Sequence, residues 1–198
     1  MKVQNLELDG LLLIEPAIHR DERGYFCETW HAKRYREAGL PTSFVQDNLS
    51  WSCRGTLRGL HFQRPHPQAK LVYVPSGEIY DVAVDIRPSS PTFARWARVM
   101  LSAANAHQLY VPEGFAHGFC VTSDEALVAY KCSAPYERSA QRVIAWDDPE
   151  LAIVWPVRNP LLSPQDRRAP RVSEVLSDPT LGITARYFSG AYDDSVLP

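Results

Sequence analysis

The chain has 198 residues, of which 45% are hydrophobic and 22% are charged, and its formal net charge at pH 7 is −2. These are ordinary globular values, and a chain of this length buries roughly 70% of its unfolded surface, so we expect one stable domain over residues 1–198. Because there is no basic excess, no global field recruits nucleic acid or anionic membranes, which excludes both as main partners.

The predicted elements are mostly short strands, punctuated by 16 prolines. In chain order, we predict strands over 24–29, 43–50, 70–74, 79–86, 96–101, 107–111, 118–122, 126–131 and 142–146. One helix is predicted over 31–38, ended by Gly39 and Pro41. Alternation in the fourth of these strands places Tyr80 on one face and Asp81 on the other. From about Asp147 the chain is irregular and rich in proline, and we expect it to wrap the strands. This pattern predicts an all-β sandwich or jelly roll.

The four cysteines form no CxxC pair and have no metal-site spacing. Isolated thiols in a domain of this size are typical of a reducing compartment rather than of a disulfide framework. The N-terminal apolar run over 11–14 is too short for a signal peptide or a membrane span. We therefore expect a cytoplasmic protein without membrane contact.

His61 is the most informative residue, because it lies in RGTLRGLHFQ between Leu60 and Phe62. In a strand, its side chain would point to the opposite face from both neighbours. A histidine in a strand is most often a structural hydrogen-bonding group. Here, however, Arg58 and Lys70 lie close in sequence, and such a concentration of cations is costly unless an anionic ligand arrives. The stretch therefore favours a ligand cavity.

A second motif, VPEGFAHGF, ends on a histidine that could bind a metal. Its spacing Pro112-x-Gly114-x-x-His117 is similar to the second motif of the cupin superfamily, with His61 and His66 as further candidate ligands. The first cupin motif would place a carboxylate near Lys70, and a cation beside a divalent metal is electrostatically unfavourable. We therefore expect no metal. Tyrosines in ALVAYKCSAPY and the aspartate in LLSPQDRRAP, taken alone, would be packing residues and a surface turn.

Together, these motifs resemble one family. RGTLRGLHFQ, PQAKLVYV, SGEIYDVAVDIRPSSPTF, LYVPEGFAHGFCV, YKCSAPY, IAWDDPELAIVWP and LLSPQDRRAP occur in this order from about Leu13 to Pro170. They are similar to the dTDP-4-dehydrorhamnose 3,5-epimerase family. The resemblance implies a cupin-like jelly-roll β-sandwich with one or two short helices and an irregular C-terminal wrap. It also implies epimerisation of a dTDP-linked 4-keto-6-deoxyhexose at C3 and C5 without metal or other cofactor.

The resemblance also implies catalytic roles. His61 would be the base, with Asp166 fixing its tautomer and stabilising the imidazolium. Tyr130 would be the acid on the opposite face of the sugar ring. Lys70, with help from His117, would lie near the ketone oxygen or the base.

Binding residues follow from the same resemblance. Two arginines would hold the diphosphate, and other side chains would contact the nucleotide and the sugar: Arg23, Arg58, Phe26, Glu28, Gln46, Asn48 and Tyr136. Members of the family are homodimers, and residues such as Phe26 and Glu28 can reach the partner subunit's site. This chain departs from the family hairpin at Tyr73, Pro75 and Ser76, and Gln165 precedes Asp166 where a basic residue is frequent.

The sequence leaves three alternatives open. The first is an epimerase that inverts a single centre, or that uses a GDP- or CDP-linked sugar. The second is a metal-dependent cupin oxygenase or isomerase. The third is a non-catalytic sugar-binding jelly roll, which would not need a base and an acid together.

Overall fold

The computed structural model of the protein describes residues 1–40 and 43–177, and within them it is a sandwich of two antiparallel sheets. In chain order the strands are β1 (Lys2–Asn5), β2 (Leu12–Glu15), β3 (Ile18–Asp21), β4 (Gly24–Cys27), β5 (Gln46–Cys53), β6 (Leu57–Gln63), β7 (Lys70–Ser76), β8 (Glu78–Asp85), β9 (Trp96–Ser102), β10 (Gln108–Val111), β11 (Phe115–Val121), β12 (Glu125–Cys132) and β13 (Gln141–Val143). One sheet has the order β1-β2-β10-β7-β12-β5 and the other β13-β6-β11-β8-β9, while β3 and β4 pair as a separate hairpin.

The core between the two sheets comes from alternate residues of facing strands. Val72 and Val128 of the six-stranded sheet pack with Ala83 and Phe119 of the five-stranded sheet. On the opposite face of β8, Tyr80 belongs to a second buried cluster. Both faces of β8 are therefore covered, and the predicted alternation along this strand is confirmed. The predicted all-β, cupin-like jelly roll is confirmed as well.

The C-terminal segment covers the outer face of the five-stranded sheet. Ile144 and Leu151 are fully buried against it. The Tyr80 hydroxyl donates to the Val154 carbonyl over 2.8 Å. The segment also contains a short 3-10 helix, Asp166–Arg168, and the helix α2 (Val172–Ser177). The expected wrap is present, and it carries Asp166 toward the sandwich.

The outer face of the six-stranded sheet is covered in part by α1 (Ala32–Glu37). His31 caps this helix, its ring nitrogen accepting from the Arg34 amide, and Tyr35 is the buried residue that packs on the sheet. The predicted helix is therefore present, although Pro41, one of its two predicted stop signals, lies outside the described residues. Each of the two helices in the described chain has six residues, which is too short to cross a membrane.

Some predicted boundaries were wrong. Strand β11 begins three residues earlier than predicted, and β13 ends at Val143, although Ile144 still exchanges backbone hydrogen bonds with Leu60, the next pair in register. The predicted list also omitted β1, β2, β3 and β6. The first three have four residues each, too few for an alternating pattern to stand out. Strand β6 contains Gly59, and glycine lowers strand propensity.

Candidate active site

The direction of His61 depends on an irregularity in β6. His117 of β11 is opposite His61, and Phe119 of β11 is opposite Arg58. These pairs are two residues apart on β11 but three residues apart on β6, so β6 contains one extra residue. This bulge turns Arg58 and His61 to the same inner face of the sheet. Gly59 makes the arrangement possible, because its φ is +126° and a Cβ there would lie 2.5 Å from the Cα of Gly118.

His61 is held by a carboxylate from the C-terminal wrap. Its Nε2 lies 2.6 Å from Oδ1 of Asp166, whose side chain is only 2% exposed. The second carboxylate oxygen accepts from the Ser163 hydroxyl over 2.8 Å. An ionised carboxylate only accepts hydrogen bonds, so Nε2 carries the proton and Nδ1 keeps a free lone pair. The aspartate that might have been a surface turn is therefore a buried partner of His61.

The facing wall of the site comes from the six-stranded sheet. Tyr130 is opposite Asn48, and Cys132 is opposite both Gln46 and Lys70. Directly opposed residues share a face, so these side chains all point inward. With His61 they enclose a cavity of about 310 Å³, whose lining residues are Gln46, Asn48, His61, Phe62, Gln63, Gln68, Lys70, Tyr130, Cys132, Tyr136 and Gln141.

The electrostatics of Lys70 combine two opposing effects. The Lys70 side chain is only partly exposed, and its burial lowers the pKa of the ammonium group. The negative charges of Cys132 and Asp81 act in the opposite direction and raise this pKa. Asp81 is completely buried, and its carboxylate accepts from His117 Nε2 at 2.9 and 3.0 Å. His117 is thus placed behind the cavity wall, where it holds Asp81. The sequence offered one unused signal for this pair, an aspartate in the middle of an apolar strand.

Tyr130 lies across the cavity from His61. Burial raises the pKa of the Tyr130 hydroxyl, the charge of Cys132 raises it further, and the charge of Arg58 lowers it. The phenol is therefore protonated at neutral pH. The Arg58 guanidinium donates to the Ser52 hydroxyl over 3.0 Å and to the Trp51 carbonyl, which places a cation beside the cavity.

Arg58 and His117 are not among the residues that line this cavity, and neither are three further predicted binding residues, which lie on the β3–β4 hairpin or just after it. Arg23 is paired with Asp21 in the β3–β4 hairpin, and its side chain is 85% exposed. Phe26, on the same hairpin, is 68% exposed. Glu28 accepts from Arg34 over 2.8 Å. The hairpin therefore presents a cation and an aromatic ring to solvent, away from the cavity of its own chain.

Sequence reasoning missed several parts of the site. Cys132 and Gln141 line the cavity, although nothing in their local sequence distinguishes them from packing or loop residues. Asp81 and Ser163 act behind the lining, and only the tertiary contacts reveal their partners. Within residues 1–40 and 43–177, no group of three or more histidine, cysteine, aspartate or glutamate side chains could hold a metal ion.

The cupin-like β-sandwich brings a histidine–aspartate pair and a tyrosine to one cavity, an arrangement that is suited to proton transfer. Comparison with known proteins is specific. Residues 5–174 match the family model described as dTDP-4-dehydrorhamnose 3,5-epimerase. The chain belongs to this family and is an isomerase.

Three relatives illustrate the match. The dTDP-4-dehydrorhamnose 3,5-epimerase of Shigella flexneri is 52% identical over 84% of this chain and 93% of that protein. A dTDP-4-dehydrorhamnose 3-epimerase of Streptomyces niveus is 41% identical over 88% of this chain and 86% of that protein. The crystal structure of dTDP-6-deoxy-D-glucose-3,5-epimerase from Legionella pneumophila Philadelphia 1, in complex with dTDP-4-keto-L-rhamnose, has a TM-score of 0.87 and 48% identity, covering 91% of this chain and 96% of that chain.

Proposed function

We propose that this enzyme inverts C3 and C5 of dTDP-4-dehydro-6-deoxy-D-glucose to give dTDP-4-dehydro-L-rhamnose. One observation carries the proposal: the candidate base and the candidate acid come from opposite sheets and line the same cavity. A sugar ring lying between His61 of β6 and Tyr130 of β12 presents one face to each. Inversion requires that a proton leaves one face and that another arrives at the opposite face.

The chemistry requires more than a base. A proton beside a ketone is less acidic than an imidazolium by on the order of ten pKa units, or about 14 kcal/mol. The enolate oxygen must therefore be stabilised as its charge develops, and the ammonium group of Lys70 on the cavity wall is suited to that task. Asp166 contributes by holding the His61 ring and by stabilising the imidazolium that forms.

Each inversion can be written as a balanced pair of proton transfers. His61 Nδ1 takes the carbon-bound proton, and the electron pair moves to the ketone oxygen beside Lys70. The Tyr130 hydroxyl then delivers its proton to the other face of the same carbon, and the enolate returns to the ketone. Arg58 stabilises the resulting phenolate, consistent with its lowering of the pKa of Tyr130. Exchange with water restores both groups.

Substrate binding in this proposal uses both subunits of a homodimer. Arg58 holds the diphosphate beside the cavity, Gln46 and Asn48 contact the sugar and nucleotide, and Tyr136 packs at the mouth. Arg23, Phe26 and Glu28 act on the cavity of the partner subunit. The exposure of the hairpin in its own chain supports this arrangement. The four free thiols support a cytoplasmic location.

The test is incubation with dTDP-4-keto-6-deoxy-D-glucose in deuterium oxide, followed by NMR. We expect deuterium at both C3 and C5 and conversion to the L-rhamno product. Deuterium at C3 alone would indicate a single-centre enzyme, the activity named for the relative from Streptomyces niveus. Binding without exchange would indicate a sugar-binding protein. The same assay after exhaustive chelation should retain full activity, and its loss would establish a metal-dependent cupin.

A further inference from the structure

The segment over 134–137, at the mouth of the cavity, is held by side chains from other parts of the chain rather than by a backbone ladder. Gln63 makes two of the contacts with this segment and a third with the β6–β7 loop. Its Nε2 donates to the carbonyls of Pro135 over 3.2 Å and of His66 over 3.0 Å, and its Oε1 accepts from the Glu137 amide over 2.7 Å. Gln63 is buried. It therefore bonds the peptide groups on either side of Tyr136.

Two further glutamines complete the arrangement. Gln46 Oε1 accepts from the Tyr136 amide over 2.7 Å, and Gln68 Nε2 donates to the Ala134 carbonyl over 2.7 Å. Gln46, Gln63 and Gln68, which we call the glutamine clamp, all line the cavity. Four successive residues of an otherwise exposed segment thus have backbone groups bonded to side chains from strands β5 and β6 and from the β6–β7 loop.

The clamp fixes the one large aromatic ring of this segment. Tyr136 is 51% exposed, and its hydroxyl donates to Gln141 Oε1 on β13. An exposed loop tyrosine ordinarily samples several orientations, and a ligand that packs on it must then meet the cost of ordering it. Here the backbone on both sides and the hydroxyl at the far end are already held. The ring is ordered before any ligand arrives.

We propose that Gln63 is a positioning residue for substrate binding: by bonding the peptide groups on either side of Tyr136, it holds the Tyr136 ring at the mouth of the cavity in the orientation that the thymidine part of the substrate meets. This inference rests on the proposed function, since it assumes a thymidine-diphosphate-linked substrate. It assigns to Gln63 an effect on substrate affinity that is transmitted through Tyr136. In such a substrate the diphosphate separates the thymidine from the reacting carbons of the sugar, so a contact with the thymidine is the same in the ground state and the transition state.

The principal variant is Gln63→Met, which keeps the length of the side chain and removes all three hydrogen bonds. We expect KM to rise about tenfold with kcat within twofold of wild type, and the Kd for thymidine diphosphate alone to rise in parallel. Hydrogen exchange of the peptide over 133–140 should become faster. The matched control is Thr92→Val, which removes the hydroxyl bond to the buried Asp85 (2.7 Å) in a loop outside the cavity. It should lower stability without changing KM.

A double-mutant cycle separates positioning from direct contact. If Gln63 acts through Tyr136, then adding Gln63→Met to Tyr136→Ala should change KM by less than about twofold. An equal rise of KM in both backgrounds would show that Gln63 touches the substrate itself and would overturn the proposal, as would an unchanged KM in Tyr136→Ala. If Gln63→Met does not fold, Gln68→Met, which removes one bond, should show a smaller rise of about threefold.

The outcomes also distinguish this inference from the proposed function. If the wild-type protein binds thymidine diphosphate but does not epimerise the sugar, the proposed reaction is contradicted. A higher Kd for thymidine diphosphate in Gln63→Met would still support the role of the glutamine clamp. If the wild-type protein epimerises the sugar and Gln63→Met binds thymidine diphosphate with an unchanged Kd, the positioning role of Gln63 is contradicted and the proposed reaction still stands. Absence of thymidine diphosphate binding by the wild type would overturn both.

Discussion

Asp166 lies 105 residues after His61 in the sequence, yet its Oδ1 is 2.6 Å from His61 Nε2. The two residues belong to different layers of the molecule, one to a strand of the five-stranded sheet and the other to the segment that covers that sheet. The Ser163 hydroxyl orients the carboxylate from its other side. The orientation of the His61 ring therefore depends on the docking of the C-terminal wrap.

The first prediction concerns this pair. Asp166→Asn keeps the shape of the side chain but removes the charge that stabilises the imidazolium. We expect kcat to fall about a hundredfold or more, with deuterium exchange and inversion falling together, because both need the base. Asp124→Asn, at a carboxylate that is 95% exposed and paired with Arg54, is the control and should leave both rates unchanged. Loss of inversion with normal exchange would assign Asp166 to the acid instead.

The second prediction separates acid from base. Tyr130→Phe keeps the ring but removes the hydroxyl, so His61 can still take a proton and return deuterium to the same face. This variant should exchange deuterium into the substrate while inverting it at least about a hundredfold more slowly. The control is Tyr110→Phe, because Tyr110 is a buried tyrosine on the outer side of the same sheet. This control should exchange and invert the substrate at the wild-type rates. Inversion by Tyr130→Phe at the wild-type rate would show that another group is the acid.

The third prediction is a pH profile. Burial lowers the pKa of Lys70, so its proton is lost at lower pH than that of an exposed lysine, about 10.4. If the ammonium stabilises the enolate, kcat/KM should fall at alkaline pH below that value. Burial moves the pKa of Tyr130 in the opposite direction, upward, so the two groups respond differently to burial.

Asp81 tests the assignment of the alkaline limb. Its negative charge raises the pKa of Lys70, so Asp81→Asn should move the limb to still lower pH. Asp47→Asn is the control, because Asp47 pairs with Lys131 on the outside of the same sheet and is 71% exposed. A limb that stays in place in Asp81→Asn would mean that Lys70 does not set it.

The fourth prediction uses mixed dimers. Arg23→Ala damages the hairpin and His61→Ala damages the cavity, so a hairpin that crosses to the partner leaves one intact site in each mixed dimer. A one-to-one mixture that has been unfolded and refolded should recover about a quarter of wild-type activity at low substrate. Arg58→Ala mixed with His61→Ala should recover none, since both residues belong to one strand. Failure of the first mixture, or a monomeric mass by light scattering, would contradict the shared site.

Sequence reasoning reached the architecture because alternation in strands such as β8 is strong and prolines mark the turns. It reached His61, Tyr130 and Asp166 through motifs whose order is specific. It did not reach Asp81 or the clamp residue Gln63 in their present roles. Their partners are distant in sequence, so no local pattern records them. The bulge in β6 was also invisible, because it depends on the close approach of two backbones.

The placement of His61 and Tyr130 on opposite sheets has a consequence for how this enzyme could be altered. Stacked sheets lie about 10 Å apart, a separation set by the side chains between them. In this molecule the spacers include Val72, Val128 and Phe119, and the Tyr130 side chain packs against the same cluster. The thickness of the core therefore sets the distance between His61 and Tyr130, and with it the size of the sugar ring that fits between them. A library aimed at bulkier or flatter rings should vary these spacers before it varies the lining of the cavity.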